Sequence, residues 1–533
     1  MDPSVTPFHL IPDCVREIIS HLHSNHKALF SCALVNRLWC RSAIPLLWCD
    51  IFNGNYLSPD KGTKIISIYM SCLTEIQRKT LINHNLNLQE NFKPALFDYP
   101  KYLRFLNCRY FDNALYSWCK ATIKPDVENT EFQKTLLICN HIISQYILSH
   151  SAGLYTLHLN NHNDNGCCLM HLPPDVCVNG ICHTFSKLTE LQIDNGFQIN
   201  SSQIFEKLSL HSHSIQKLYI SVKSISDLVL QQEIFSHLFL LINSQHKLQS
   251  FTVILSWAIN SQSSLFFSAL TNQSHSLKFL EIGQLYDISI LIPYLASFNL
   301  DTLKLIYYNT PLKQIDPRSI PYLHSRTQFK IKNLIIYGTY YSILCPFFSK
   351  IIKLSGSHLE KISFNGCDEN LTNTIAEYSS NITSLSIIIN YAIFNCFVKA
   401  LSKLKKLKYL NLESAKNDIQ YTKDMILKFA KIFPNSIEEL NFNLTLEQEH
   451  IDAFLKELKV SLTKLTIYLN ELDDEILNSV IDYAIRTGNL KEFCFNADVS
   501  FSHDVWLKAQ EIIPVITDMT DDVDYNLAFY LFA

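Results

Sequence analysis

The sequence predicts an α/β solenoid in which short parallel strands stack into a sheet and helices lie outside it. Two observations lead to this fold class. Apolar residues recur at positions one, four and six of short runs along the chain, and the segment between two runs is long enough for one helix. Because a solenoid grows in one dimension, 533 residues need not divide into several globular domains.

The recurring run is clearest in LTELQIDN, which begins at Leu188. Thirteen such runs, spaced by about 28 residues on average, match the period of leucine-rich repeats. Their first residues are Leu154, Leu188, Ile215, Leu248, Leu277, Leu300, Ile331, Leu359, Ile382, Leu407, Ile437, Leu462 and Leu490. With one strand per run and a helix before the next, residues 151–533 are predicted to form a leucine-rich-repeat solenoid, a horseshoe with a parallel β-sheet and outer helices.

The repeat pattern is blurred over residues 51–150. WCDIF (48–52) and LRFLNC (103–108) are candidate first strands, and residues 66–82 and 132–148 are predicted helices. A terminal repeat must cover one open end of the core and therefore deviates from the others. We interpret this region as atypical N-terminal capping repeats, and a separate domain is the alternative.

Capping signals place helices before two of the later strands. Thr445 stands three residues before Gln448, as in a capping box, and a second helix is predicted to start at Asp473 and to stop at Gly488.

Residues 8–48 are predicted to form three short helices. The first follows Pro12 and carries one apolar face, formed by Val15, Ile18, Ile19 and Leu22. The second holds Leu29 and Phe30, and the third carries Leu34, Val35, Leu38 and Trp39 before Pro45 ends it. Three helices in about 40 residues make a very small core, so some of these apolar residues are expected to meet a partner or the first repeats.

This N-terminal segment, LIPDCVREIISHL followed by LFSCALVNRLWCRSAIPLLW, resembles an F-box. The Leu-Pro pair of that family matches Ile11 and Pro12, its Val and Trp match Val35 and Trp39, and its closing Leu-Trp matches residues 47–48. Two departures are Ile11 in place of leucine and Asp13 after the proline. The alternative is that the three helices only cap the N-terminal end of the solenoid.

The resemblance implies an F-box over residues 1–50 that binds a Skp-type adaptor. The residues expected to make the contact are Leu10, Ile11, Pro12, Val15, Ile18, Ile19, Leu22, Leu34, Val35 and Trp39. An N-terminal F-box followed by leucine-rich repeats is similar to the substrate receptors of cullin-RING ubiquitin ligases, including families expanded in some fungi. By this resemblance the chain is expected to be the noncatalytic substrate-recognition subunit of an SCF-type ligase. A leucine-rich-repeat scaffold that does not act through a ligase is the alternative.

A protein substrate is expected on the sheet face opposite the core. Residues three, five and seven of each run point there because side chains alternate along a strand. In the early repeats this face is polar, with Thr156, His158, Asn160, Glu190, Gln192 and Asp194. In the middle repeats it turns apolar, and the predicted substrate-binding residues are Ile254, Phe279, Ile306, Ile335, Tyr337 and Ile388. Alternatively, neighbouring side chains or the tail 525–532 cover these residues.

Composition disfavours several other functions. A net charge of −4 and a pI near 6.6 give no basic field for nucleic acid. No run approaches about 18 apolar residues, so no membrane span is expected, and localisation is predicted to be cytoplasmic or nuclear. The chain has only 11 glycines and lacks the GxxxxGK[ST], GxGxxG, HExxH and GxSxG motifs, so no enzymatic activity and no cofactor are predicted.

The 16 cysteines include no C-x-x-C pair, which favours reduced thiols over a disulfide framework. One insert, 166–183, collects zinc-capable side chains at Cys167, Cys168, His171, Cys177, Cys182 and His183. Their spacing fits no common zinc site, so we predict a loop with buried thiols and no metal.

Overall fold

Alternation of apolar and polar residues places one side of the strands from β2 to β14 in the core, and this alternation organises the fold. The structure is a computed structural model that describes residues 12–52, 58–84, 86, 94–123, 129–160, 182–194, 201–222, 228–255, 263–283, 291–307, 328–338, 341–414, 421–444 and 446–519. The chain divides into two units, Met1–Trp257 and Ala258–Ala533.

The first unit begins with helices and continues as strand–helix repeats. Its helices are α1 Pro12–Ser20, α2 His26–Ala33, α3 Arg37–Cys49, α4 Pro59–Cys72, α5 Glu75–Ile82, α6 Cys108–Thr122, α7 Asn129–His150, α8 Cys182–Phe185, α9 Ser201–His211 and α10 Leu228–Asn243. A 3-10 turn covers Tyr99–Tyr102. Its strands are β1 Phe105–Asn107, β2 Thr156–Asn160, β3 Glu190–Asp194, β4 Lys217–Val222 and β5 Ser250–Leu255.

The second unit is built from strand–helix repeats in its described part. Its helices are α11 Ser263–Thr271, α12 Leu291–Leu295, α13 Tyr341–Ser355, α14 Glu369–Tyr378, α15 Tyr391–Leu401, α16 Lys423–Ile432, α17 Gln448–Glu457, α18 Asp474–Thr487 and α19 His503–Ile512. A 3-10 turn covers Gly356–His358. Its strands are β6 Phe279–Gly283, β7 Thr302–Tyr307, β8 Asn333–Gly338, β9 Lys361–Phe364, β10 Ser384–Ile389, β11 Tyr409–Ser414, β12 Glu439–Asn443, β13 Lys464–Leu472, β14 Glu492–Val499 and β15 Val515–Asp518.

Within each unit, every strand pairs in parallel with the next one along the chain. The registers align like positions of the repeats, for example Leu157 with Leu191 in the first unit and Leu410 with Leu440 in the second. The first residues of all thirteen predicted runs are at most 4% exposed. The predicted α/β repeat fold with a parallel sheet is therefore confirmed. We call the sheet side opposite these buried residues the second face.

A pair of backbone hydrogen bonds joins successive repeats at the start of most strands. One carbonyl oxygen accepts two N–H groups from the next repeat, at 2.7–3.2 Å, and the donors are the first strand residue and the residue before it. We call each such carbonyl a latch. The latch residues are Arg104, Tyr155, Thr189 and Gln216 in the first unit and Lys278, Asp301, Lys332, Glu360, Thr383, Lys408, Glu438 and Thr463 in the second.

Capping signals in the sequence predicted the ends of α18 and the start of α17, and the two helices differ in outcome. Asp473 accepts the Ile476 N–H at 3.0 Å, and Gly488 closes α18 with φ +65, the left-handed conformation that glycine favours, so both predicted ends of this helix are confirmed. The capping-box prediction for the preceding helix is wrong in its cap residue: α17 is capped by Glu447. Thr445 lies outside the described residues.

Residues 48–52 form no strand, so that prediction is wrong. Helix α3 continues through Pro45 to Cys49, although a proline inside a helix removes one backbone hydrogen bond. The Trp48 ring lies 4.1 Å from the Tyr99 ring, and the Phe52 ring lies 5.8 Å from Tyr69, centroid to centroid. These rings dock α3 on α4 and the 3-10 turn, so burial of large aromatics overrides the strand pattern. The second candidate strand is confirmed as β1.

The helix predicted over residues 66–82 is two helices. Helix α4 ends at Cys72, and a capping box formed by Thr74 and Gln77 starts α5. The side chain of Thr74 satisfies the Gln77 N–H and the Gln77 side chain satisfies the Thr74 N–H, so the chain turns there at little cost. The helix predicted over residues 132–148 is confirmed as α7.

A carboxyl group is buried between α6 and α7. Asp112 is 5% exposed, and its Oδ1 accepts the Asn140 Nδ2–H at 2.8 Å. Burial raises the pKa of Asp112 to about 8, against the smaller lowering effect of that hydrogen bond. In the unfolded chain the pKa is near 3.8. Between about pH 4 and pH 8, unfolding therefore releases a proton, and stability falls as pH rises through this window.

We expect Asp112→Asn to flatten this pH dependence. The variant keeps the size of the side chain and an oxygen for Asn140 but has no proton to lose. The free energy of unfolding, measured by urea denaturation, should fall between pH 5 and pH 8. This fall should be roughly 1–3 kcal/mol larger for the parent chain than for the variant. Equal pH slopes for parent and variant would contradict a neutral buried carboxyl.

The described cysteines are free thiols, as predicted, and several are shielded from solvent. Burial raises the pKa of Cys49 to about 11 and those of Cys345 and Cys367 to about 12. Such thiols are held in the unreactive protonated form at neutral pH.

Candidate partner-binding surfaces

The three N-terminal helices pack around a small core of their own. Its buried members are Val15, Ile19, Leu29, Cys32 and Ala43. The prediction that Val15 and Ile19 contact an adaptor directly needs correction, because their side chains are 0% and 1% exposed and face the other two helices. Leu22 and Trp39 are partly buried against the same core. These four residues support the shape of the bundle.

The outside of the bundle carries large apolar side chains. Phe30, Leu34 and Val35 are 61%, 73% and 60% exposed, and all three fall within six residues. Phe30 and Leu34 are four residues apart on α2 and its C-cap, so they share one helix face. Leu34 and Val35 lie in the turn before α3, not inside the third helix as predicted.

On α1, Ile18 is 43% exposed and Pro12 is exposed as well. Ile18 was expected on the same apolar face as Val15 and Ile19, and the structure turns it outward. Leu10 and Ile11 lie outside the described residues.

Side-chain caps fix the backbone that presents the apolar residues on α2. Asn25 caps α2 through the Ala28 N–H at 3.0 Å, and Asn36 caps α3 through the N–H groups of Leu38 and Trp39 at 2.9 and 3.0 Å. The side chains of Lys27, Arg37 and Arg41 are exposed around the same segment. We define the bundle surface as Phe30, Leu34 and Val35, an apolar centre with a basic surrounding.

The apolar patch predicted in the middle repeats is buried. Ile306, Ile335 and Tyr337 lie on the second face as predicted, but each is 4% exposed and the three pack together as a separate cluster. Ile306 is the register partner of Tyr337. The prediction that they form an exposed substrate site is therefore wrong, because a partner cannot reach side chains covered in this way.

An ion pair lies beside this cluster. Lys304 Nζ is 3.3 Å from a carboxylate oxygen of Glu281 and 5.6 Å from the Tyr337 ring centroid. Both charged side chains are largely buried, and Lys304 is the register partner of Ile335. The alternative that neighbouring side chains cover the apolar row agrees with this arrangement.

The remaining predicted substrate-binding residues do not join the cluster. Phe279 is partly buried and is aligned with Thr302 at the start of β7, four residues before Ile306. Ile388 is partly buried beside Glu413. Ile254 belongs to the first unit. Within the second unit, the predicted residues therefore do not form one continuous patch.

On β2 and β3 the second face is polar, as predicted. Glu190 pairs with Lys217 at 3.6 Å, and His158 Nε2 is 3.8 Å from Glu190. Desolvation lowers the pKa of His158, against the opposing effect of Glu190, so this imidazole is neutral at pH 7.

A pocket that the sequence analysis did not single out lies on the second face of the second unit. It has a volume of about 70 Å³ over β12, β13 and β14. Its polar lining includes Tyr409, Glu439, Asn441, Lys464, Thr466 and Tyr468. Lys464 Nζ donates to Glu492 at 2.8 Å, so its charge is already balanced. We call this site the β12–β14 pocket.

Two asparagines on neighbouring strands, β11 and β12, have buried side-chain oxygens without hydrogen-bond partners in the described structure. Asn441 lines the pocket and is the register partner of Asn411, which is 6% exposed. The Oδ1 atoms of both are orphaned. Asn411 directs its Nδ2 to Ser386 Oγ at 2.8 Å and to Glu413 Oε1 at 3.4 Å, so its oxygen points away from β10.

Burial raises the pKa values of two groups on β11, Glu413 and Tyr409. Desolvation raises the pKa of Glu413 to about 7, against the smaller effect of the hydrogen bond from Asn411. Desolvation also raises the pKa of Tyr409, and a hydrogen bond with Asn441 lowers it less.

Within the described residues, one group of three metal-ligand side chains comes together, Glu447, Glu449 and His450. It lies at the N-terminus of α17, where His450 Nδ1 accepts the Glu447 N–H at 3.1 Å as part of the capping box. Capping therefore explains the cluster. Of the insert residues proposed as zinc-capable, Cys167, Cys168, His171 and Cys177 lie outside the described part. His183 hydrogen bonds the Ser151 carbonyl at 2.9 Å. No helix in the described ranges is long and apolar enough to cross a membrane.

Comparisons with known proteins add a weak similarity of fold. No family model matches the chain, and no curated protein matches it. Among solved structures, a Bacteroides fragilis protein is 14% identical, with 57% of this chain and 75% of that chain covered and a TM-score of 0.29. The yeast Rad7 and Elc1 complex contains a chain that is 13% identical, with 59% and 76% covered and a TM-score of 0.32. Similarities at this level carry no argument about function.

Proposed function

We propose that this protein is the substrate-recognition subunit of an SCF-type ubiquitin ligase. Its N-terminal bundle binds a Skp-type adaptor and, through it, a cullin, while its repeats bind the protein to be ubiquitinated. Catalysis resides in the other subunits. The protein acts in the cytoplasm or the nucleus.

The observation that carries this proposal is the bundle surface. Three helices that resemble an F-box in sequence leave Phe30, Leu34 and Val35 more than half exposed while a separate core holds the fold. Clustered exposed apolar side chains are typical of binding sites for other proteins. A bundle that only capped the repeats would turn such residues toward the sheet.

Co-expression of the full chain with a Skp-type adaptor tests the proposal. We expect the two proteins to elute together in size-exclusion chromatography and to recruit a cullin when it is added. Failure to capture the adaptor would contradict the F-box assignment and favour a leucine-rich-repeat scaffold outside the ligase. Capture of the adaptor without the cullin would also contradict a ligase role.

A further inference from the structure

The last helix of the second unit, α19, leaves apolar side chains partly uncovered. Counted from their N-caps, Trp506 and Ile512 of α19 occupy the positions that Leu477 and Tyr483 occupy in α18. The two residues of α18 are at most 1% exposed, whereas those of α19 are only partly buried. A repeat buries its apolar side chains against the repeats on both sides, so within the described residues this layer has a neighbour on one side only.

Strand β15 is the last strand in the order of the sheet, and its far edge is uncovered by any other described strand. Val515 and Met519 donate their N–H groups to the Lys491 and Phe495 carbonyls, at 3.1 and 2.9 Å, and so hold β15 and the residue after it against β14. Because N–H directions alternate along a strand, the N–H of Ile516 points away from β14. The side chain of Val515 is 49% exposed. Such an edge is a template for one more strand.

The segment that follows β15 has the sequence pattern of a strand. Residues 520–533 read TDDVDYNLAFYLFA and lie outside the described part of the structure. Strict alternation of apolar residues over such a run predicts a strand with one buried side. Asp521 and Asp522, just before the run, are typical of turns. The alternating apolar residues are Val523, Tyr525, Leu527, Phe529 and Leu531.

We propose that residues 523–531 form a strand antiparallel to β15 and cover both its far edge and the apolar layer of α19. A connection of four residues, 519–522, lies within the usual range for hairpins and places Tyr525 opposite Ile516. Directly opposite residues of an antiparallel pair share one face of the sheet. Ile516 is aligned with Phe493, which is 0% exposed, so Tyr525 and the other alternating apolar residues lie on the core side.

Attachment favours this segment over a strand from elsewhere. Because Met519 is held against β14, the segment starts at the edge that it covers and pairs there at a high effective concentration. A strand from a second copy of the chain or from another protein has to compete with it. The docked segment closes the sheet edge against such additions. The proposal is independent of the ligase assignment.

Hydrogen–deuterium exchange on the purified full chain, read by mass spectrometry, tests the proposal. We expect the amides of the peptide that contains Ile516 to be protected at least about 100-fold relative to an unstructured peptide. Rapid exchange there in the isolated chain would overturn the proposal and leave the edge for a strand of another protein. Protection that grows with protein concentration, together with a dimer in light scattering, would also overturn it, because a second copy would then be the occupant.

Two double variants test the alternation. Tyr525→Asp with Leu527→Asp places charge on the proposed core side, and Asn526→Asp with Ala528→Asp adds the same charge on the other side. We expect the first pair to speed exchange at Ile516 by at least about 10-fold and the second pair to leave it nearly unchanged. Equal effects of the two pairs, or no effect of the first, would overturn the proposal.

Exchange in β11 is the internal reference, because it lies several repeats away and each repeat contacts only its neighbours. If the first pair also speeds exchange in β11, the milder Tyr525→Ser with Leu527→Ser replaces it, with the same expected rise at Ile516 and the same outcomes against the proposal.

Discussion

Replacing Phe30 and Leu34 together with aspartate should weaken capture of a Skp-type adaptor by about 30- to 1,000-fold, equivalent to about 2–4 kcal/mol. The two side chains share one face of α2 and are 61% and 73% exposed. Buried in an interface, each charge would lose its hydration without gaining a partner. Adaptor affinity is measured by surface plasmon resonance with the full chain.

The fold should tolerate this double change, because neither side chain belongs to the bundle core. Exposed substitutions usually alter stability by about 0.5 kcal/mol or less each. The matched control is Ile76→Asp with Leu210→Asp, which replaces two other exposed apolar residues, at 79% and 61%. Adaptor affinity equal to that of the control would disprove the bundle surface as the contact. Ile18→Asp, tested separately, shows whether the contact extends to α1.

Phe429→Ala should destabilise the second unit by about 3–5 kcal/mol, the largest stability effect we expect from one substitution. Phe429 is 0% exposed at the centre of an aromatic cluster. Its ring lies 5.7 Å from Phe394, 5.1 Å from Phe433 and 5.7 Å from Phe454, centroid to centroid. The change leaves a cavity that touches helices of three successive repeats.

Urea denaturation followed by circular dichroism measures this effect. Ile432→Ala on the same helix is the control, because Ile432 is 42% exposed and should shift the transition by less than about 1 kcal/mol. Similar losses for the two variants would mean that the cluster does not carry the packing energy of these repeats. A change in the slope of the transition would indicate that the repeats unfold separately.

Sequence patterns predicted the strands because the repeat encodes them locally. Leu188, Leu191 and Ile193 occupy positions one, four and six of their run and are all buried, and the same register holds from β2 to β14. The predictions failed where contacts between residues far apart in the sequence determine the local structure. Trp48 stands in a strand-like run, but its burial against Tyr99 and Tyr69 is set by residues about 20 to 50 positions away, and α3 extends to include it.

The second face shows a different limit. Alternation correctly assigned Ile335 and Tyr337 to that face, yet it does not encode what covers them, and both are buried. The asparagines of β11 and β12 look like ordinary polar strand residues in the sequence. Only the aligned strands reveal that Asn411 and Asn441 are neighbours with unpaired oxygens. Recurrence of asparagine at the fifth position of adjacent runs was the available signal.

The latch carbonyls set the spacing of the repeats through backbone hydrogen bonds, so this spacing does not depend on which side chains the latch residues carry. Tyr155, Asp301, Lys408 and Thr463 perform the same backbone task with unrelated side chains, and no latch residue is buried. Side-chain substitutions at these positions are therefore expected to change stability very little. Charged residues can accumulate there during evolution without altering the fold. Proline is the exception, because most latch residues also donate their own N–H to the preceding latch, as Thr189 does to the Tyr155 carbonyl at 2.9 Å. Relatives of this chain are therefore expected to vary in side chain at the latch positions but to exclude proline there and at the first residue of the strand.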